Sequence, residues 1–198
     1  MSKRLPKLKR LPKKLVKTSD VAARLRKALA KRTKGGLIDA LVELAGADRN
    51  LLRQLDARFG LEAAPKELIG ATRLAIADAT DFDERDINRN FSYDDEAYEE
   101  VKRNLSRLID LGQLRPAMEL SLELMKEGSY QVEMSDEGLM THDIEECLDV
   151  VLKALKKCDL PPGEVVAWCV EMHKRDRVGF IYDQELGLLR KHFEAFRS

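Results

Sequence analysis

Aromatic residues make up only 6% of this 198-residue sequence, with a single Trp and only six Pro. Scarce aromatics and the lack of long β-branched runs exclude a strand-built core, because such residues are what a pleated, half-buried surface selects. The three cysteines are an odd number, so no disulfide framework is implied and a reducing, cytoplasmic setting is the natural expectation. No apolar segment approaches the roughly 20 residues that cross a bilayer, and the basic N-terminus lacks the apolar stretch of a secretory signal. No glycine-rich phosphate loop is present. No His or Cys pair has metal-ligand spacing. The sequence therefore points to no metal, no cofactor, no membrane partner and no catalytic constellation.

What remains is charge and helix-forming residues. Charged side chains are 35% of the chain, in equal numbers of each sign. That balance hides a division. Residues 1–34 hold 14 Lys/Arg against one acid, Asp20, which leaves 21 basic and 34 acidic side chains for the rest. The arm repeats itself, with Arg4-Leu5-Pro6-Lys7 followed by Arg10-Leu11-Pro12-Lys13. Proline disfavours helix in the residue before it, so residues 1–18 are expected to be an extended basic arm. Lys3, Arg4, Lys7, Lys9, Arg10, Lys13, Lys14 and Lys17 are its candidate nucleic-acid contacts, since each neutralised phosphate releases counterions. The arm has no aromatic to stack on a base, so such binding would not be sequence-specific, and DNA and RNA are not distinguished. Two alternatives stay open: the arm lies on the chain's own acidic remainder, or it is a solvated tail.

From residue 19 to 198 one all-helical domain is expected, built as a short α-solenoid or an irregular helical bundle. Thr18-Ser19-Asp20 offers an N-cap to a helix over 20–33 with Val21, Leu25 and Leu29 on one stripe, ended by Gly35-Gly36. Leu37 to Ala45 and a second helix through Leu51, Leu52, Leu55 and Phe59 make a hairpin, and Pro65 opens a helix running to Ala79. Residues 80–95 read as an acidic loop. Asp86, Asn88 and Asn90 resemble the start of a calcium loop, but Phe91 stands where its turn needs Gly and Ala97 where its bidentate Glu belongs. The expectation there is a connection with Asx turns.

Over 96–198 the pattern is of helical hairpins with a terminal capping helix. Tyr98, Val101, Leu105 and Leu108 mark one helix, ended by Gly112. The next buries Met118, Leu122 and Met125 before Gly128, and a third runs from Thr141 to about Cys158 through Ile144, Cys147, Leu148 and Val151. Hairpins over 94–127 and 140–174 have similar lengths, a size typical of helical repeats. Cys147, Cys158 and Cys169 are expected as core thiols, and His142, His173 and His192 as surface residues with no nucleophile beside them.

Three stretches resemble the helical C-terminal region that accompanies SWIM zinc fingers in some bacterial proteins. They are the Leu37–Ala45 hairpin followed by Asp48, Leu51, Leu52 and Leu55, the Tyr98-to-Gly112 helix, and the Ser135-Asp136-Glu137-Gly138 loop leading to Asp143, Ile144 and Leu148. The resemblance implies a helical scaffold. The finger's Cys-x-Cys and Cys-x-His are missing, so its zinc chemistry is not implied, and the basic arm stands in its place.

Together these features favour a non-enzymatic helical scaffold for an unspecified protein partner, of open oligomeric state. Asp136 and Glu137 in the acidic loop are candidate contacts. Trp168 is a candidate anchor provided its ring is exposed, a buried Trp being the competing reading. The alternative is a nucleic-acid-associated protein working through the arm.

Overall fold

The computed structural model describes residues 18–61 and 63–195, and the arm read at 1–18 falls, but for Thr18, outside the described residues. Among the described residues there are ten helices and no strand, so the chain is all-α. They divide into two compact units, one ending at Leu61 and one following it.

The first unit holds α1 (Thr18–Leu29), α2 (Lys34–Ala47) and α3 (Arg49–Phe59). The glycine pair that reads as the end of the first helix instead lies in the first turn of α2. Thr33 is the reason. Its side chain caps α2 by accepting the Gly36 N–H at 3.1 Å, and first-turn amides have no intrahelical partner in any case, so glycine costs little there. A single residue then turns the chain. Asp48 accepts the amides of Asn50 and Leu51 at 2.9 and 3.2 Å while its own N–H donates to the Leu44 carbonyl at 2.9 Å. It closes one helix and opens the next. α2 and α3 pack on one another as a hairpin.

The second unit holds α4 (Pro65–Thr80), α5 (Glu84–Asn90), α6 (Asp95–Asp110), α7 (Leu114–Glu133), α8 (Thr141–Leu155), α9 (Pro162–Arg175) and α10 (Asp183–Glu194). Helices two apart in sequence pack side by side: α4 on α6, α6 on α8, α7 on α9. α7 also meets α4 and α8, and α10 packs on α9. This is the arrangement of stacked helical hairpins. Side-chain bonds between distant residues carry the same period. Arg73 to Glu123, Tyr93 to Asp143, Lys102 to Glu146 and Arg115 to Glu164 span 50, 50, 44 and 49 residues. That is the spacing of one hairpin plus its connection, within reach of the 40–47 residues or so of common two-helix repeats.

Two sequence expectations need correction. Residues 80–95 are not a loop throughout. Asp83 caps α5 by accepting the amides of Arg85 and Asp86 at 2.8 and 3.2 Å, and Ile87, 1% exposed, ties the short helix to the core. One apolar residue in a polar run carries too weak a periodic signal to show this. Nor does α7 stop at Gly128. The helix continues to Glu133, and Gly128 is buried inside it, where a Cβ would stand 2.8 Å from Ile144 Cδ1. This glycine is a packing notch that lets α8 come close, not a terminator.

The core follows the predicted stripes in α6 and α8, where Val101, Leu105 and Leu108 and Ile144, Leu148 and Val151 are wholly enclosed. In α7 the enclosed leucines are Leu120 and Leu124, and Leu122, expected inside, is only half-buried. Met118, Met125 and Met140 fill gaps between them. Truncating any of the buried Leu or Ile side chains would cost about 2–5 kcal/mol. Tyr98 and Gln131 are partnered inside the core. The Tyr98 hydroxyl donates to Gln131 Oε1 at 2.5 Å, and Gln131 Nε2 donates to the Ala79 carbonyl at 3.2 Å.

Candidate functional site

The first unit has an unusual surface. Among the described residues, ten of seventeen exposed large apolar side chains lie between Val21 and Leu61, and the remaining seven are spread over the much longer second unit. In α1, Val21, Leu25 and Leu29 form a stripe at four-residue spacing, 47%, 57% and 42% exposed. α2 is apolar over most of its circumference, a pattern that belongs in a core, yet Ala45 is its one buried residue and Val42 is 67% exposed. α3 half-covers Leu51 and Leu55 and leaves Leu52 and Phe59 open. Basic residues are dense along α1 and the turn into α2: Arg24, Arg26, Lys27, Lys31, Arg32 and Lys34 are all exposed. The eight arm residues proposed as nucleic-acid contacts, Lys3 to Lys17, lie outside the described residues.

Asp136 and Glu137 are exposed, as their loop position predicts. The loop itself is fastened. Asn88 of α5 donates from Nδ2 to the Met134 carbonyl at 3.1 Å and accepts the Asp136 N–H on Oδ1 at 2.8 Å. Ser135 Oγ accepts the Gly138 N–H at 3.0 Å, and Thr141 Oγ1 donates to the Gly138 carbonyl at 2.7 Å. The residues that resemble a calcium loop thus have structural work: Asn88 holds the loop, and Asn90 bonds Asp86 at 3.0 Å.

Trp168 is not at the surface. Its ring is 4% exposed and Nε1–H donates to the Met118 carbonyl at 3.0 Å, an oxygen that also accepts the Ser121 hydroxyl at 2.7 Å. An exposed anchor is ruled out, and Trp168 instead locks α9 onto α7. Its stripe neighbours Val165 and Met172 are equally buried, which is the signal that the sequence offered for this.

The titratable groups form structural pairs. Burial pushes the Cys147 thiol well up, and its Sγ lies 3.4 Å from the Tyr98 carbonyl. Burial likewise raises Cys169 to about 11. Both are poor nucleophiles as a result. Tyr93 is raised to about 12 by burial and by its 2.7 Å bond to Asp143. Lys102 donates to Glu146 at 2.7 Å and Glu99 at 2.5 Å, which raises the ammonium and lowers Glu146. His142 sits 3.3 Å from Glu146 one helical turn on, and 77% of its side chain is exposed. His173 bonds the Cys169 carbonyl through Nδ1 at 2.7 Å and faces Asp183 at 3.1 Å through Nε2, which spans α9 and the start of α10. Among the described residues, no three His, Cys, Asp or Glu side chains converge on a point that would hold a metal ion.

A groove of about 770 Å³ runs between α4 and α7, with Ile76 and Ala77 among its lining. Arg73 and Glu123 face each other there as a two-bond pair at 3.1 and 3.2 Å. Its other charges, Asp78, Asp81, Lys126, Glu127 and Arg175, are of both signs, so the groove has no one-signed lining to select a charged ligand. Elsewhere on the unit Arg177 stacks 4.7 Å over the Tyr130 ring, which Phe82 meets edge-on. Sequence could not show this arrangement, because its partners are about fifty residues apart. The apolar surface of α1–α3 is therefore the strongest candidate. No family model, curated protein or solved structure matches this chain, so the chemistry of its own surface is the guide to what it does.

Proposed function

We propose that this chain is a non-enzymatic interaction module: a stack of helical hairpins that carries, at residues 18–61, a docking unit for a protein partner. The observation that carries the reading is the density of exposed aliphatic side chains on α1–α3. Monomeric proteins seldom leave contiguous apolar surface uncovered, and where they do it marks an interface. Cys147 on the Tyr98 carbonyl and His173 facing Asp183 tie helices to one another, which fits a scaffold. The free cysteines fit a cytoplasmic setting. Asp136 and Glu137 are a secondary contact on the second unit.

Photo-crosslinking side chains placed at Val42 and Phe59, with Leu188 on α10 as control, test this in cells that produce the chain. The module reading expects discrete adducts from Val42 and Phe59. Adducts no more frequent than at Leu188 would count against it.

A second reading has one observation in its favour, the six exposed basic residues between Arg24 and Lys34 that continue the charge of the arm. Phosphate-backbone binding through them would weaken steeply between about 50 and 200 mM salt. It would fall further on deletion of residues 1–17. Nucleic-acid affinity unchanged by that deletion excludes the arm.

A further inference from the structure

The three helices of the first unit cannot bury their own apolar residues. Every described residue of α1 from Val21 onward is exposed, and the α2–α3 hairpin fully covers one apolar side chain, Ala45. Units of about 40 residues with so little core usually gain it by association. The open edge of the hairpin is formed by Ile38, Leu41 and Val42 of α2 with Leu52 and Phe59 of α3. The stripe of α1 has the same character and the complementary charge. Arg24 flanks one side of that stripe on a helical wheel, and Arg26 flanks the other. Between Gly35 and Asp48 there is no Lys or Arg, and on the α2 wheel Asp39 lies next to Val42 with Glu43 beyond it on the same side.

We infer that residues 18–61 are a self-association unit in which the occupant of each α2 edge is α1 of a second copy of this chain. A two-fold pairing satisfies both copies at once: the Val21–Leu25–Leu29 stripe of each lies along Ile38–Val42 of the other, and its arginines meet Asp39 and Glu43. The exposed parts of the eight apolar side chains named amount to roughly 800 Å² per copy, about what one side of a stable interface buries. A nucleic acid would neutralise the basic residues but leave the aliphatic stripe wet. A second copy buries the stripe and neutralises the charge together. This inference rests on the docking role proposed for the unit and names the partner.

The test is sedimentation equilibrium of the full chain over a dilution series, read against the monomer mass of 22.5 kDa. The wild-type chain should show twice that mass and dissociate on dilution. Val42→Glu, which would bury an unpaired carboxylate, should weaken pairing about 100-fold or more. It should leave the helical circular dichroism unchanged, since Val42 is exposed within one copy. Asp39→Lys with Glu43→Lys should weaken pairing about tenfold, and adding Arg24→Glu with Arg26→Glu should restore it. A wild-type chain monomeric at every concentration overturns the inference. So does a dimer indifferent to Val42→Glu, or charge reversals that fail to compensate. A monomer that still crosslinks to a different protein from Val42 keeps the docking role and refutes self-association alone. The loss of both refutes both.

Discussion

Gly128→Ala tests the reading of α7 as a helix notched to admit α8. At an ordinary helix-interior position this substitution would stabilise by about 1 kcal/mol, the difference in helix propensity. Here the new Cβ would lie 2.8 Å from Ile144 Cδ1 and 3.2 Å from Cγ1, with the Tyr98 hydroxyl at 3.8 Å. Ile144 is wholly buried, so its methyl has no solvent to swing into, and overpacking of this kind costs about 1–3 kcal/mol. The clash should exceed the propensity gain, leaving Gly128→Ala destabilised by about 1 kcal/mol. Ile144→Val alone removes Cδ1 and should cost about 0.5–1.5 kcal/mol. Combined, the alanine methyl fills space that the valine vacates. The double variant should be no less stable than the better single one, a favourable coupling of about 1–2 kcal/mol. Urea unfolding followed by Trp168 fluorescence reads this directly, because the sole Trp is buried in the second unit. A Gly128→Ala chain more stable than wild type by the full propensity difference would refute the notch. Simple additivity of the two substitutions would refute the contact.

Two further outcomes follow from the ionisable groups. The Glu146 carboxylate is held below its usual range first by the hydrogen bond from Lys102. A depressed acid stabilises the fold above its unfolded pKa and loses that contribution as pH falls through the folded one. Glu146→Gln should therefore flatten the loss of stability below about pH 4.5, measured as urea midpoint against pH. At the other end Tyr93, raised to about 12 by burial and Asp143, contributes stability that is complete below about pH 10 and is lost between there and its folded pKa. Tyr93→Phe should remove the corresponding late step from the tyrosinate absorbance titration. Among the thiols, Cys147 and Cys169 are enclosed and Cys158 is partly exposed. A disulfide reagent should modify Cys158 rapidly, and the other two only as the chain unfolds. Fast reaction at all three would contradict the packing of α8 and α9.

Much of the fold was legible because helices announce themselves locally. The stripe Tyr98, Val101, Leu105, Leu108 predicted both α6 and its buried face, and Pro65 marked the helix start that it occupies in the structure. The errors fell where a residue has two uses. Glycine ends helices and also lets them approach, and nothing near Gly128 distinguishes the two, because the deciding atom belongs to Ile144 on another helix. Gly35 and Gly36 were misplaced because Thr33, three residues upstream of Gly36, outweighs them as a cap. Trp168 could be read as anchor or core until its indole was seen bonded to Met118, fifty residues away.

The sequence alone therefore determined the helical class, most stripes and the segregation of charge, since each depends on residues within a turn or two of one another. Only the tertiary structure decided which stripes are covered. The apolar spacing of α6 and that of α1 look alike on paper. One lies between two other helices and the other faces solvent, because burial depends on which neighbours the stack supplies.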